Sequence, residues 1–296
     1  MSLLNYMTVK DVSGALSVSW GLIKEIDKQG LRERYRQIDV KEVRYIAIDE
    51  FAIRKGHKYM TVVMDLERRR IIYVREGRSQ ESLVPFFRRL KRQGVNLMGI
   101  SMDMWPAYIT AATEYYPQVP IVFDRFHIEK NLNKAITDLR KAVYREEVDL
   151  NKKKLIKGTR WLLLKNRENL NDQKNEKKRL EEALQVNRPL AIAYYLKEDL
   201  KQLWKQKDVD QAKSFLGSWV AKAIASGIQI LKKFAHSLLA HRTGIFSWFI
   251  NKISSGPLEG MNNKIKVLKR KAYGYGDMEY FILKIYNLHY IRYALL

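Results

Sequence analysis

The sequence predicts a mixed α/β fold: a sheet with helices on its faces, interrupted by a large all-helical segment and preceded by a short helical stretch. Three observations lead there. Between Val43 and His127 lie short apolar runs rich in β-branched and aromatic residues, broken by charged or glycine-bearing turns. Within the same stretch, other segments space their apolar residues as a helix does. From Ile128 to Ile250 Lys, Glu and Leu dominate and no convincing strand occurs, over a length no ordinary loop reaches. The domain boundaries predicted are 1–40 for the helical start, 41–135 for the first part of the sheet domain, 136–250 for the helical insertion and 251–296 for the closing helices.

In chain order, Val12, Ala15 and Leu16 recur at helical spacing, Ser17 and Ser19 break the pattern, and Trp20, Ile23 and Ile26 resume it. Two short helices with a tight turn suit either the last part of a helix-turn-helix or a plain hairpin packed on the main domain. VRYIAID (43–49), YMTVVMD (59–65) and RIIYV (70–74) read as strands. SLVPFFRRLKRQG (82–94) reads as a helix with Gly94 at its C-cap. LMGISMD (97–103), WPAYITAATEYY (105–116) and PIVFD (120–124) follow as strand, helix and strand. Three turn-linked strands and then β/α alternation imply a mixed sheet.

Composition narrows the function classes. Lys and Arg number 55 against 32 Asp and Glu, a formal charge of +23, yet 46% of residues are hydrophobic. That balance suits a folded protein with a polyanionic partner rather than a disordered polycation. Cysteine is absent, which excludes disulfides, thiolate zinc sites and a cysteine nucleophile. No stretch has the roughly 18 uncharged apolar residues of a membrane span, and MSLLNYMTVKDV lacks the layout of a secretion signal.

Two strands end alike, in Asp49 and Asp103. A carboxylate closing a buried strand stands at the sheet edge, where open α/β sheets place their sites, although each Asp also suits a turn or helix cap. The third element is SSGPLEGMNNKIKVLKRKAYGYG (254–276). Gly256 and Pro257 signal a helix start, and Leu258, Met261, Ile265 and Leu268 form an apolar stripe. Glu259, Asn262, Asn263, Lys266 and Arg270 share the other face; Glu259 is either a functional carboxylate or a first-turn cap support. Two Asp and one Glu on separate elements match what two Mg²⁺ ions need for in-line phosphodiester chemistry: hard oxygen ligands, few in number.

IDEFAIRKGHKY (48–59), SMDMWPAYI (101–109), VFDRFHIEKNLNKA (122–135) and the 254–276 segment together resemble the transposases of the ISL-three family of bacterial insertion sequences, from about residue 40 onward. The resemblance implies a ribonuclease-H-like core with a helical insertion before its last catalytic helix. It further implies the Asp-Asp-Glu triad on Asp49, Asp103 and Glu259, Mg²⁺ as cofactor with Mn²⁺ substituting, and double-stranded DNA, both element ends and target, as partner. A homodimer or larger assembly on DNA and a cytoplasmic, nucleoid-associated location follow from the same likeness. Asp124, Arg125 and His127 match a D-x-x-H signature of the wider group; His127 either meets the scissile phosphate or orients a carboxylate, or is a structural histidine bonded to Asp124. Arg54, Lys55 and His57 are expected to touch phosphate or to form a solvated turn. Arg125, Asn263, Lys266, Lys269, Arg270 and Lys271 are expected to contact DNA.

The family's usual N-terminal zinc-binding module has no counterpart here, since there are no cysteines, and only the end of a helix-turn-helix is recognisable. Two other readings therefore stay open: a ribonuclease-H-like nuclease, and a DNA-binding remnant without turnover.

Overall fold

The computed structural model describes residues 3–54 and 58–291, with the side chain of Arg54 outside the description. Two compact units emerge: one joins residues 1–124 to 253–296, the other is 125–252.

The first unit begins with α1 (Val9–Leu16) and α2 (Trp20–Arg34). Thr8 and Asp11 form a reciprocal capping box that starts α1, and Ser17, at φ 53°, turns the chain out of it. Only Val12 and Ile23 of the expected apolar stripes are buried, together with Leu4; Leu16, Trp20 and Ile26 remain about half exposed. α2 lies against α14 (Met278–Tyr286), where Leu31 packs with Tyr280 and Leu283 and ion pairs add to the contact. Asp277 accepts from Lys24 and Lys28 at 2.8 Å each, and Glu279 takes a bidentate pair from Arg32 at 2.6 Å.

Burial alone would raise the Asp277 carboxyl, but the bonds from Lys24 and Lys28 outweigh it and hold the group well below the usual carboxylate range. Arg32 and Lys28 pull Glu279 down to about 2. Since both folded values lie below the unfolded ones, their stabilisation is complete above the unfolded carboxylate range and is lost as pH falls through the folded values. Urea unfolding from pH 5 down to 2 should therefore show a decline that is flatter in an Asp277→Asn/Glu279→Gln variant. Parallel slopes in the two proteins would remove these carboxylates from the account.

The sheet has five strands in the order β3-β2-β1-β4-β5. These are β1 (Tyr45–Arg54), β2 (Lys58–Asp65), β3 (Arg70–Glu76), β4 (Gly99–Met102) and β5 (Ile121–Phe123). β1 to β3 pair antiparallel, while β4 and β5 run parallel to β1. This is the ribonuclease-H-like mixed sheet expected from the sequence. Between β3 and β5 lie α3 (Gln80–Arg92) and α4 (Pro106–Tyr115). They bury Leu83, Phe86, Phe87, Leu90 and Tyr108 completely. α13 (Gly256–Lys271) and α14 pack on the sheet: Leu258, Met261, Ile265 and Phe281 share a core with Ala47, Phe51, Val62 and Met64. Odd-numbered β1 residues therefore face α13, as the two-residue period of a strand requires.

The second unit is helical throughout its described length. It runs through α5 (Arg125–Glu146), α6 (Leu150–Gly158), α7 (Arg160–Leu164), α8 (Glu176–Val186), α9 (Arg188–Leu200), α10 (Val209–Ala225), α11 (Gln229–Ala240) and α12 (Arg242–Asn251). The predicted boundary at 135/136 falls inside α5, because that helix starts directly after Asp124 and runs unbroken to Glu146. Trp219 anchors the interior, its Nε1 donating to the Leu196 carbonyl at 2.8 Å. Lys197 is buried and donates to the carbonyls of Leu163 and Lys165, which close α7.

Candidate active site

Asp49 does not end its strand, as the sequence reading had it. β1 continues to Arg54 because β2 pairs with it as far as Lys58. The sheet opens at Asp49 for another reason: β4 stops at Met102, opposite Ile48. Asp49 is thus the first β1 residue past its parallel neighbour, and Asp103 is the first residue past β4. Adjacent strands lie about 4.8 Å apart, so the two aspartates leave the sheet side by side, between the strands where connection direction switches.

Asp49 is 9% exposed and lies on the β1 face that α13 covers. Its Oδ1 accepts from the Glu50 amide and its Oδ2 from Asn262 Nδ2, each at 2.8 Å. Asp103 is half-buried, and its Oδ1 accepts from the Met104 amide at 2.6 Å. Glu259, half-buried, lies three residues before Asn262 on α13, on neighbouring positions of the helix surface. The Asn262–Asp49 bond therefore ties α13, the helix that carries Glu259, to β1. Glu259 falls in the first turn, where the helix dipole favours a negative charge.

Among the described residues, no three His, Asp or Glu side chains gather closely enough to enclose a metal ion. Carboxylates on adjacent strands repel one another unless a cation lies between them. The donors nevertheless suit Mg²⁺, being hard oxygens on three elements with no thiol available. Asn262 adds a buried Oδ1 that has no hydrogen-bond partner, the kind of orphaned acceptor that accompanies an ion or its hydration.

A family model for "Transposase", of the ISL-three DDE group, matches residues 46–285. The transposase for insertion sequence element IS1001 of Bordetella parapertussis is 37% identical over 286 residues, covering 96% of this chain and 70% of that protein. The chain belongs to this transposase family. The transposase for insertion sequence element IS1557 of Mycobacterium tuberculosis is 24% identical over 284 residues, 88% of this chain and 63% of that one. The Drosophila P element transposase strand transfer complex is a more distant structural likeness, with TM-score 0.42 and 11% identity over 88% of this chain and 80% of that one.

Within this transposase-family chain, Asp124 anchors the start of α13. It is 5% exposed, and its Oδ2 accepts from Ser254 Oγ at 2.8 Å and from the Ser255 amide at 2.7 Å. Removing it strands a buried amide, so Asp124→Ala should cost about 1.5–3 kcal/mol in urea unfolding. A cost below about 0.5 kcal/mol would show that the α13 start holds itself.

The remaining predicted residues are distributed as follows. Asn263, Lys266 and Arg270 line the exposed side of α13. Lys266 donates to Asn263 at 3.3 Å. Lys269 is partly buried, and its ammonium is taken by the backbone carbonyls of Ile53 and Ala52. Lys271, half-buried, is the last residue of α13. Arg125 is exposed on the first turn of α5 and pairs with Glu129 at 2.6 Å. His127 is 6% exposed on the same helix and makes an edge-on ring contact with Phe126. Lys55 and His57 lie outside the described residues, as does the side chain of Arg54.

The reading that put Asn262 on the solvent face of α13 is corrected: the residue is 5% exposed and bonded to Asp49. Its position was partly readable. Asn262 is i+4 from Leu258, at the edge of the apolar stripe, where a polar residue turns toward the sheet.

Proposed function

We propose that this chain catalyses divalent-metal-dependent DNA strand cleavage and strand transfer for an insertion sequence, with Asp49, Asp103 and Glu259 as the metal-holding carboxylates. The observation that supports this reading is that Asp49 and Asp103 follow paired positions on adjacent strands, while Asn262 of α13, the helix that bears Glu259, bonds to Asp49. Mg²⁺ is the cofactor that fits, with Mn²⁺ substituting. When bound, the ions supply Lewis acidity for both the attacking and the leaving oxygen of a phosphodiester.

The chain's own residues orient and bind. Asp49 presents its carboxylate from within β1 and Asp103 from the residue directly after β4, so the sheet limits the play of both. Exposed Asn263, Lys266 and Arg270 extend from the Glu259 turn as a polar and basic track for the DNA backbone. The +23 formal charge of the whole chain supports the same partner. Cleavage exposes a 3′-hydroxyl at the element end, and that hydroxyl then attacks target DNA. Joining two ends requires at least two copies of the chain on DNA, and such a protein works in the bacterial cytoplasm beside the nucleoid.

The test uses the full chain with Mg²⁺, supercoiled plasmid, and labelled duplexes carrying the sequences that flank its own reading frame. Products in which a labelled 3′-end is covalently joined to plasmid are expected. Cut ends without joined products would indicate a nuclease instead. Binding without any cleavage, in either metal, would indicate a DNA-binding remnant.

A further inference from the structure

Asn262 is placed as no packing residue needs to be. It is 5% exposed, on the third turn-facing position of α13 after Leu258 and Met261, yet it is polar. Its Nδ2 donates to Asp49 Oδ2 at 2.8 Å, while its Oδ1 is buried with no hydrogen-bond partner. The amide orientation follows from charge: turning it over would press Oδ1 against the carboxylate and lose the donated bond. The orphan acceptor is thus a consequence of serving Asp49. An unsatisfied buried acceptor is costly. An aliphatic side chain would bring no such acceptor, but it would also take the Asn262 donor away from Asp49 Oδ2.

We propose that Asn262 is a positioning residue for the metal site. Its Nδ2 sets the plane of the Asp49 carboxylate, the group that would hold the divalent cation. This rests on the proposed role of Asp49 as a metal ligand. Asp49 is held from two directions, by the Glu50 amide on Oδ1 and by Asn262 on Oδ2, so its rotation is fixed before any ion arrives. Such outer partners of a metal site orient the ligand and tune its affinity. Because Asn262 is on the same helix as Glu259, the bond also ties the third carboxylate's helix to the first carboxylate's strand.

The test is a Mn²⁺ titration followed by electron paramagnetic resonance, on the full chain alone and with a short DNA duplex. Unchanged protein, Asn262→Leu, Asn262→Ser and Asp49→Asn are compared, with Tm measured for each. Asn262→Leu and Asn262→Ser are expected to weaken Mn²⁺ binding by about 10–100-fold, read in variants whose melting shows them folded. Wild-type Mn²⁺ affinity in the folded variants, or loss of fold in both, would assign Asn262 to packing and overturn the proposal. If unchanged protein binds no Mn²⁺, or Asp49→Asn binds it equally well, the metal role of Asp49 falls first, and that result is distinct from failure at Asn262 alone.

Discussion

Alanine at Asp49, Asp103 or Glu259 is expected to lower strand cleavage by at least about 10³-fold, equivalent to about 4 kcal/mol of transition-state stabilisation. The three effects should be similar in size and far from additive, because ligands of one metal site act as a unit. Asp49→Asn is the most informative single change. It removes the charge but keeps the shape, and its carboxamide can still accept from the Glu50 amide. A turn of the Asn262 amide would let Asn262 Oδ1, which has no partner in the folded chain, accept from the new side chain. The fold should therefore hold while activity is lost. Asp49→Ala leaves Asn262 Nδ2 with no acceptor and should lower Tm as well. Gel analysis of cleaved strands beside a thermal melt separates the two effects. Wild-type cleavage by any of the three alanine variants would remove that residue from the triad.

Asp27→Ala should cost about 3–5 kcal/mol of stability, the largest penalty we expect from a change away from the candidate site. Lys284 is 2% exposed in its side chain and sits 3.1 Å from Asp27, which is 9% exposed and also accepts from Tyr280 at 2.6 Å. Burial pushes the Lys284 ammonium down in pKa, and Asp27 opposes the shift. Without Asp27, a buried charge has no counterion. Because the folded pKa of Lys284 lies below its unfolded value, the unfolded chain binds more protons between the two, and stability rises with pH there. Urea unfolding should show a large loss at pH 7 in Asp27→Ala that shrinks under alkaline conditions. The double change Asp27→Leu/Lys284→Met should recover most of it, since an apolar pair of similar volume needs no counterion. A loss below about 1 kcal/mol in the single variant would show that water reaches Lys284.

These two pairs illustrate different degrees of legibility. Asp49 and Asp103 stand out along the chain because each follows a mostly apolar run, and for Asp49 the alternation of the strand fixes which face the carboxylate leaves by. Glu259 stands out through the Gly256–Pro257 helix start. Asp27, in contrast, looks like any surface residue of a charged helix, and Lys284 like a stray charge in an apolar one. Nothing local links positions so far apart in the chain; only the docking of α2 on α14 buries the pair. The apolar spacing of Leu16, Trp20 and Ile26 misleads in the opposite direction: α2 meets α14 through Leu31 and ion pairs, and those three side chains stay about half exposed.

The limit of the strand reading has a similar cause. Where β1 ends depends on β2, and where the sheet opens depends on β4, so Asp49 owes its position to its neighbours' lengths rather than its own. Periodicity and composition, which act over a turn or a strand, were enough for the mixed sheet and the helical segment. The seat of Asn262 against Asp49, the anchoring of α13 by Asp124 and the burial of Lys284 were decided by contacts between residues more than a hundred positions apart. Such contacts form only when apolar surfaces close, because removing those polar groups from water is what makes their few partners obligatory.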